Sequence, residues 1–285
     1  MDTILAELTE TWDDTPLRED ALGEWTGEGF LRRVRRAAHV LTRFAANSDF
    51  RTIATEQSFG GADGLPPIVM TLADGSHVTI RGQIDRIDTW ENGEGIWLRV
   101  VDNKSGEKKP DPARMATGEQ LQLMIYLKAA SDSLPGARPA GALYFPVTDR
   151  EVNTESDDPE RIEADRLSHV RMKGLVAARE DVVRAMDRDL SPYSVDKVFN
   201  LDGSVSKSAS WAVEEETLHG LMDAAVEKAG ELCTRMRDGE IEANPGEDAV
   251  GSVCRYCEYG AICRAGAGPH RKRDKGTTYQ DIAKK

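Results

Sequence analysis

The stretch from Val78 to Gly106, VTIRGQIDRIDTWENGEGIWLRVVDNKSG, limits what this chain can fold into more than any other. It reads as two β-strands joined by a tight turn at Asn92-Gly93-Glu94-Gly95. Strand side chains repeat every two residues, so Ile96, Leu98, Val100, Asp102 and Lys104 share one face. A strand that buries Leu98 and Val100 and then sets Asp102 and Lys104 on the same face has a use for the charges. The preceding strand carries Gly82-Gln83-Ile84-Asp85-Arg86-Ile87-Asp88, and a hairpin brings Asp85 close to Asp102 and Lys104. Two carboxylates and an amine at the end of paired strands can hold a hard divalent cation and touch a phosphate. On its own, Asp-x-Lys is a common pattern that also fits a solvated strand end with a weak surface pair.

The neighbours narrow the choice. Upstream, Glu56 lies in a strand-like Ile53-Ala54-Thr55-Glu56-Gln57-Ser58-Phe59. Downstream, GEQLQLMIYL (118–127) reads as a largely buried helix, with Gln122 and Tyr126 on one face of it. AGALYFPV (140–147) reads as a buried strand. This ordered set resembles the RecB-type branch of the PD-(D/E)xK nucleases, and within it the C-terminal nuclease domain of AddB-type subunits of bacterial ATP-dependent helicase–nucleases. The resemblance covers roughly residues 50–265. It implies an α+β fold with a restriction-endonuclease-like αβββαβ core, additional helices and a C-terminal cysteine segment. It also implies a Mg²⁺-dependent deoxyribonuclease of exonuclease type, acting on DNA beside a helicase–nuclease partner subunit in double-strand-break repair and recombination. In the matching positions Glu56, Asp85 and Asp102 are metal ligands, Lys104 is the catalytic lysine, and Gln122 and Tyr126 lie beside the DNA backbone. The residue between the Asp and the Lys is often aromatic in this family and is Asn103 here.

Bulk properties agree with an enzyme whose basic residues are local. The chain has 285 residues, 39% hydrophobic and 31% charged, and a net charge of −13. That charge argues against nucleic-acid binding by the whole surface. Lys104, Lys108, Lys109 and Arg114 nevertheless follow directly on the acidic site, where a phosphate backbone would pass. Much of the acid lies elsewhere, as in Glu155-Ser156-Asp157-Asp158 and Glu214-Glu215-Glu216. No apolar run approaches the roughly 20 residues a membrane helix needs. The acidic N-terminus has no signal-peptide form, so the cytoplasm is expected.

Four stretches follow: a lead-in and helix over 1–50, the nuclease core with its metal site over 51–150, a helical continuation with the cysteine segment over 151–263, and a mobile tail over 264–285. Residues 1–27 read as irregular. From Gly29 to Ala46 Phe30, Val34, Leu41 and Ala45 form an apolar stripe opposite an arginine face that carries His39, which reads as a surface histidine. Strands are expected at 52–59, 67–73, 77–88 and 95–103, and helices at 117–131, 159–190 (stopped by Pro192) and 211–238. In the tail, Arg271-Lys272-Arg273 reads as solvated.

All four cysteines, Cys233, Cys254, Cys257 and Cys263, fall in the last quarter. The last three form Cys-x2-Cys-x5-Cys, a spacing that favours metal over disulfides in a reducing compartment. Thiolates suit zinc or an iron–sulfur cluster, each normally with four ligands, and unmetallated thiols are a third reading. The resemblance implies that Cys254, Cys257 and Cys263 hold a [4Fe–4S] cluster with a fourth cysteine from upstream of the core. No cysteine precedes Cys233 here, and the family's upstream histidine has no match. A second function therefore stands beside the first: a catalytically inactive nuclease fold that binds DNA or scaffolds a helicase.

Overall fold

The computed structural model describes residues 2–12, 15, 20–148, 153, 155–188, 194–200, 202–246, 254, 257–263 and 271–284. A mixed sheet of six strands, in the order β1-β4-β5-β6-β7-β8, organises them. The strands are β1 (Arg51–Phe59), β4 (Gly82–Asn92), β5 (Gly95–Lys104), β6 (Arg138–Pro146), β7 (Lys173–Ala177) and β8 (Ala212–Val213). β1, β4 and β5 form an antiparallel meander, and β6 returns parallel to β5. The helices are α1 (Asp2–Glu10), α2 (Ala21–Ala46), α3 (Pro112–Ala116), α4 (Gln122–Ser133), α5 (Pro159–Ser168), α6 (Glu180–Met186), α7 (Glu215–Arg237), α8 (Gly260–Cys263) and α9 (Tyr279–Ala283). The run α2, β1, β4, β5, α4, β6 is the expected αβββαβ core.

β5 is the central strand. Trp97, Leu98, Val100 and Val101 are all buried, so both of its faces are covered. One face packs α2, whose Phe44 meets Phe145 edge-to-face, together with α6, whose Met186 lies near Leu41 and Phe44. The other face carries α4, with α7 beyond it. Parallel β5 and β6 need a crossover between them, and α3 and α4 supply it.

Several elements differ from the sequence reading. Residues 2–10 and 21–27 are helical. Asp20 caps α2 by accepting from the Gly23 amide at 2.7 Å and moves its start ahead of the apolar stripe. The strand expected at 77–88 divides at Arg81. β3 (His77–Ile80) pairs with β2 (Ile68–Thr71) in a separate hairpin that packs on α7, and β4 joins the main sheet. The helix expected over 159–190 is α5, β7 and α6. Leu167, Val170, Leu175, Val182, Val183 and Met186 along it are buried. A strand forms between them because β6 offers an open edge. A Cβ on Gly174 would stand 2.0 Å from the Ala142 carbonyl oxygen, so only glycine allows that approach. The positions 189–193, with the proline stop, lie outside the described residues.

The segment read as a mobile tail is packed where it is described. α9 carries a capping box from Thr278 and Asp281, and it buries Tyr279 and Ile282 against α7. Lys272 is exposed as expected, whereas Arg271 and Arg273 bond Glu119. His39 is half-exposed, and its Nε2 meets Glu163 Oε1 at 2.9 Å; Arg36 bonds the same carboxylate, so part of the arginine face docks α5. Among the described residues no helix is long and apolar enough to cross a membrane.

Candidate active site at the ends of the central strands

The β4–β5 ladder ends at Arg86 opposite Val101, and the next residues outward are Asp85 and Asp102. Asp85 ties off the ladder by accepting from the Asn103 amide at 2.7 Å. Asp102 is 2% exposed, in line with buried Leu98 and Val100. Burial pushes its carboxyl above the usual range. Lys104 acts against that shift, and the neighbouring Asp85 charge adds to it. Lys104 forms an ion pair with the buried Oδ2 of Asp102.

Lys104 turns its ammonium toward α4 and donates to Gln122 Oε1 at 3.1 Å. Gln122 Nε2 in turn donates to the Tyr126 hydroxyl at 2.9 Å, one helical turn on. The Tyr126 ring is held edge-to-face by buried Phe59, centroids 5.9 Å apart. Gly82 makes that seat possible, since a Cβ there would stand 2.6 Å from the Phe59 ring. Strand-end and helix-face residues thus form one connected row: Asp102, Lys104, Gln122, Tyr126.

Glu56 stands apart. The pairings of Thr55 with Arg86 and Gln57 with Ile84 set it opposite Asp85 on edge strand β1. Its carboxylate is exposed, and Gln83 Nε2 donates to it at 2.8 Å. Glu56 has φ = 50°, alone among the described non-glycine residues in a positive value. Such backbone costs roughly 1–3 kcal/mol and gathers at functional sites.

Two further residues belong to this surface. Tyr144 on β6 is in register with Asp102, and burial together with the Asp102 charge pushes its hydroxyl up. The Lys108 ammonium lies 4.9 Å from the Tyr144 ring centre. Burial and the charge of Lys104 lower the Lys108 ammonium. Tyr144 was legible only as part of a buried strand, because its place depends on a parallel register that sequence does not encode. Gln83 had a signal, since it lies two residues before Asp85 and so on the same face.

Among the described residues no three His, Cys, Asp or Glu side chains converge closely enough to hold a metal ion. Magnesium does not require three. It is usually held by one or two carboxylates completed by waters and substrate phosphates. The buried Asp102 carboxylate and the adjacent Asp85 fit that demand. The cysteines do not fit a cluster in the same way. Cys254, Cys257 and Cys263 are free, Cys257 is exposed, and the three do not converge. A closed site needs four ligands, and none of the chemistry below runs through these thiols.

The family model described as the PD-(D/E)XK nuclease superfamily matches residues 1–264. This chain belongs to the PD-(D/E)XK nuclease superfamily. Its curated relatives include proteins named as one subunit type of an ATP-dependent helicase/deoxyribonuclease. The one from Clostridium tetani is 33% identical over 80% of this chain and 20% of its own length. That from Moorella thermoacetica is 32% identical over 87% of this chain and 22% of its own, and that from Clostridioides difficile 34% over 80% and 21%. The chain thus spans about a fifth of the length of the relatives it matches. Between Asp102 and Lys104, Asn103 is exposed, and strand alternation sets its side chain on the face away from both.

Proposed function

We propose that this chain is a Mg²⁺-dependent DNA nuclease domain that hydrolyses phosphodiester bonds with little sequence preference. Its proposed setting is a helicase–nuclease that processes broken DNA, because relatives covering most of the chain carry that kind of name. The observation that carries the reading is the pair Asp85 and Asp102 at the end of β4 and β5, with Lys104 fixed beside them.

Asp85 and Asp102 would hold the metal, with Glu56 as a third ligand once its carboxylate leaves Gln83. When bound, Mg²⁺ supplies Lewis-acid polarisation of the scissile phosphate and activation of water. Lys104, held between Asp102 and Gln122, offsets negative charge that develops on the phosphoryl oxygens in the transition state. Gln122 and Tyr126 bind the backbone through hydrogen bonds. These groups address phosphate and not base edges, so cleavage depends little on sequence.

One observation favours the inactive alternative, namely the hold of Gln83 on Glu56. Cleavage of end-labelled single-stranded DNA with Mg²⁺ separates the two readings. Cleavage by the wild type and none by Asp102→Ala is the expected result. Binding without cleavage by either protein would establish the DNA-binding module instead, and equal cleavage by both would move the active site elsewhere.

A further inference from the structure

Beside the row of catalytic residues lies a cleft of about 930 Å³, walled by residues 109–114, Lys173 and Gly174 of β7, residues 210–212 and the C-terminal segment 273–280. Five cationic side chains line it, Lys109, Arg114, Lys173, Arg273 and Lys275, against the carboxylates of Asp111 and Asp196. Asp111 is committed to capping α3, accepting from the Ala113 and Arg114 amides at 2.9 and 3.3 Å. Arg114, Lys173 and Arg273 pair with Asp111, Glu107 and Glu119 respectively. Lys109 and Lys275 are exposed, and among the described residues no carboxylate pairs with either. A cation-lined cleft in a chain of net charge −13 is a local departure from the field of the whole molecule.

The cleft lies close to the site. Asp102 is in register with Tyr144, and Tyr144 with Lys173, so the cleft begins two strand spacings from Asp102, about 10 Å. Lys108 bridges the interval, feeling the charges of Lys104, Asp102 and Arg114 together. The volume is in the range of small-ligand pockets and admits a few nucleotides of one strand. Trp211 and the polar side chains of Thr277, Thr278 and Gln280 complete the lining. We infer that this cleft carries the phosphate backbone of a single DNA strand leading to or from the scissile bond. The inference rests on the nuclease reading.

The test is fluorescence anisotropy of a labelled oligothymidylate about 20 nucleotides long, with the full chain in EDTA, across about 50–200 mM salt. Wild-type cleavage in Mg²⁺ is read in parallel. Lys109→Glu combined with Lys275→Glu is expected to weaken binding about tenfold. It should also reduce the salt slope by about 1.4, at roughly 0.7 per phosphate contact on a single strand. Arg32→Glu with Arg33→Glu, on exposed α2 positions across the sheet, makes the same charge change and should leave binding intact. Equal losses in the two double variants would overturn the cleft in favour of a general charge effect. Unchanged binding in the cleft variant while the wild type cleaves would overturn the cleft and leave the nuclease reading standing. Loss in the cleft variant with no wild-type cleavage would support the cleft and remove the nuclease. Displacement of the strand by thymidine monophosphate would make the cleft a mononucleotide pocket and overturn the strand path. A wild type that neither binds nor cleaves overturns both.

Discussion

Lys104 at the end of β5 and Gln122 in the first turn of α4 meet at 3.1 Å, which locks the ammonium between a helix and the carboxylate of Asp102. A positioned cation of this kind acts on transition-state charge, whereas the carboxylates would carry the metal. Lys104→Ala should therefore lower the cleavage rate by about 10²–10³ while Mn²⁺ binding, followed by titration calorimetry, stays within a few-fold of wild type. Gln122→Ala removes the acceptor of one charge-assisted hydrogen bond from the lysine and should cost about tenfold. A Lys104→Ala protein that cuts at the normal rate would remove the lysine from the mechanism.

Asp102 pays for its position in stability. Burial raises its carboxyl, so the ionised form is disfavoured in the fold relative to the unfolded chain. Its stabilising contribution is present below the unfolded value and is lost as pH rises through the raised folded value. Asp102→Asn should thus melt a few degrees higher than wild type at pH 7 in EDTA, and that advantage should vanish in acid. The same variant should show no Mg²⁺-dependent cleavage. Equal melting temperatures for the two proteins across pH would contradict this account.

Asp88 behaves in the opposite sense. It lies on the other face of the sheet, 2% exposed, between Arg86 at 3.1 Å and Arg99 at 2.9 Å, with Thr52 donating at 2.8 Å. Burial alone would raise its carboxyl, but the two guanidinium charges and the hydrogen bonds outweigh burial and hold it below the usual range. Its contribution is therefore present above the unfolded value and lost as pH falls through the depressed folded value. Asp88→Asn leaves two buried cations unpaired and should cost about 3–5 kcal/mol at pH 7 by urea denaturation. The gap should narrow in acid, where the wild-type carboxylate is also discharged.

Gly174 is the point at which β7 closes on β6. With a Cβ 2.0 Å from the Ala142 carbonyl oxygen, Gly174→Ala forces the strands apart. A loss of about 1–3 kcal/mol is expected in denaturant unfolding. Lys173 leaves the register of Tyr144 in that event, so the variant should also bind single strands more weakly.

How much of this could be read from the chain follows from what repeats along it. Strand periodicity placed Asp85, Asp102 and Lys104 together, and helical periodicity placed Gln122 with Tyr126, because both depend on neighbours a few residues away. The turn at Asn92–Gly95 was legible for the same reason, and the αβββαβ order was what the family resemblance implied. The division at Arg81, the strand β7 within an apparently helical stretch, and the docking of α9 on α7 were not. There the local pattern fits more than one structure, and a distant partner decides among them: an open β6 edge for β7, and the small Gly220 that lets Ala283 approach α7. The cleft is the extreme case, with cations drawn from residues 109 to 275. Sequence by itself determined the chemistry of the site, since that chemistry is written in short runs. Only the tertiary structure decided what surrounds it, because packing and charge act between residues that the chain keeps far apart.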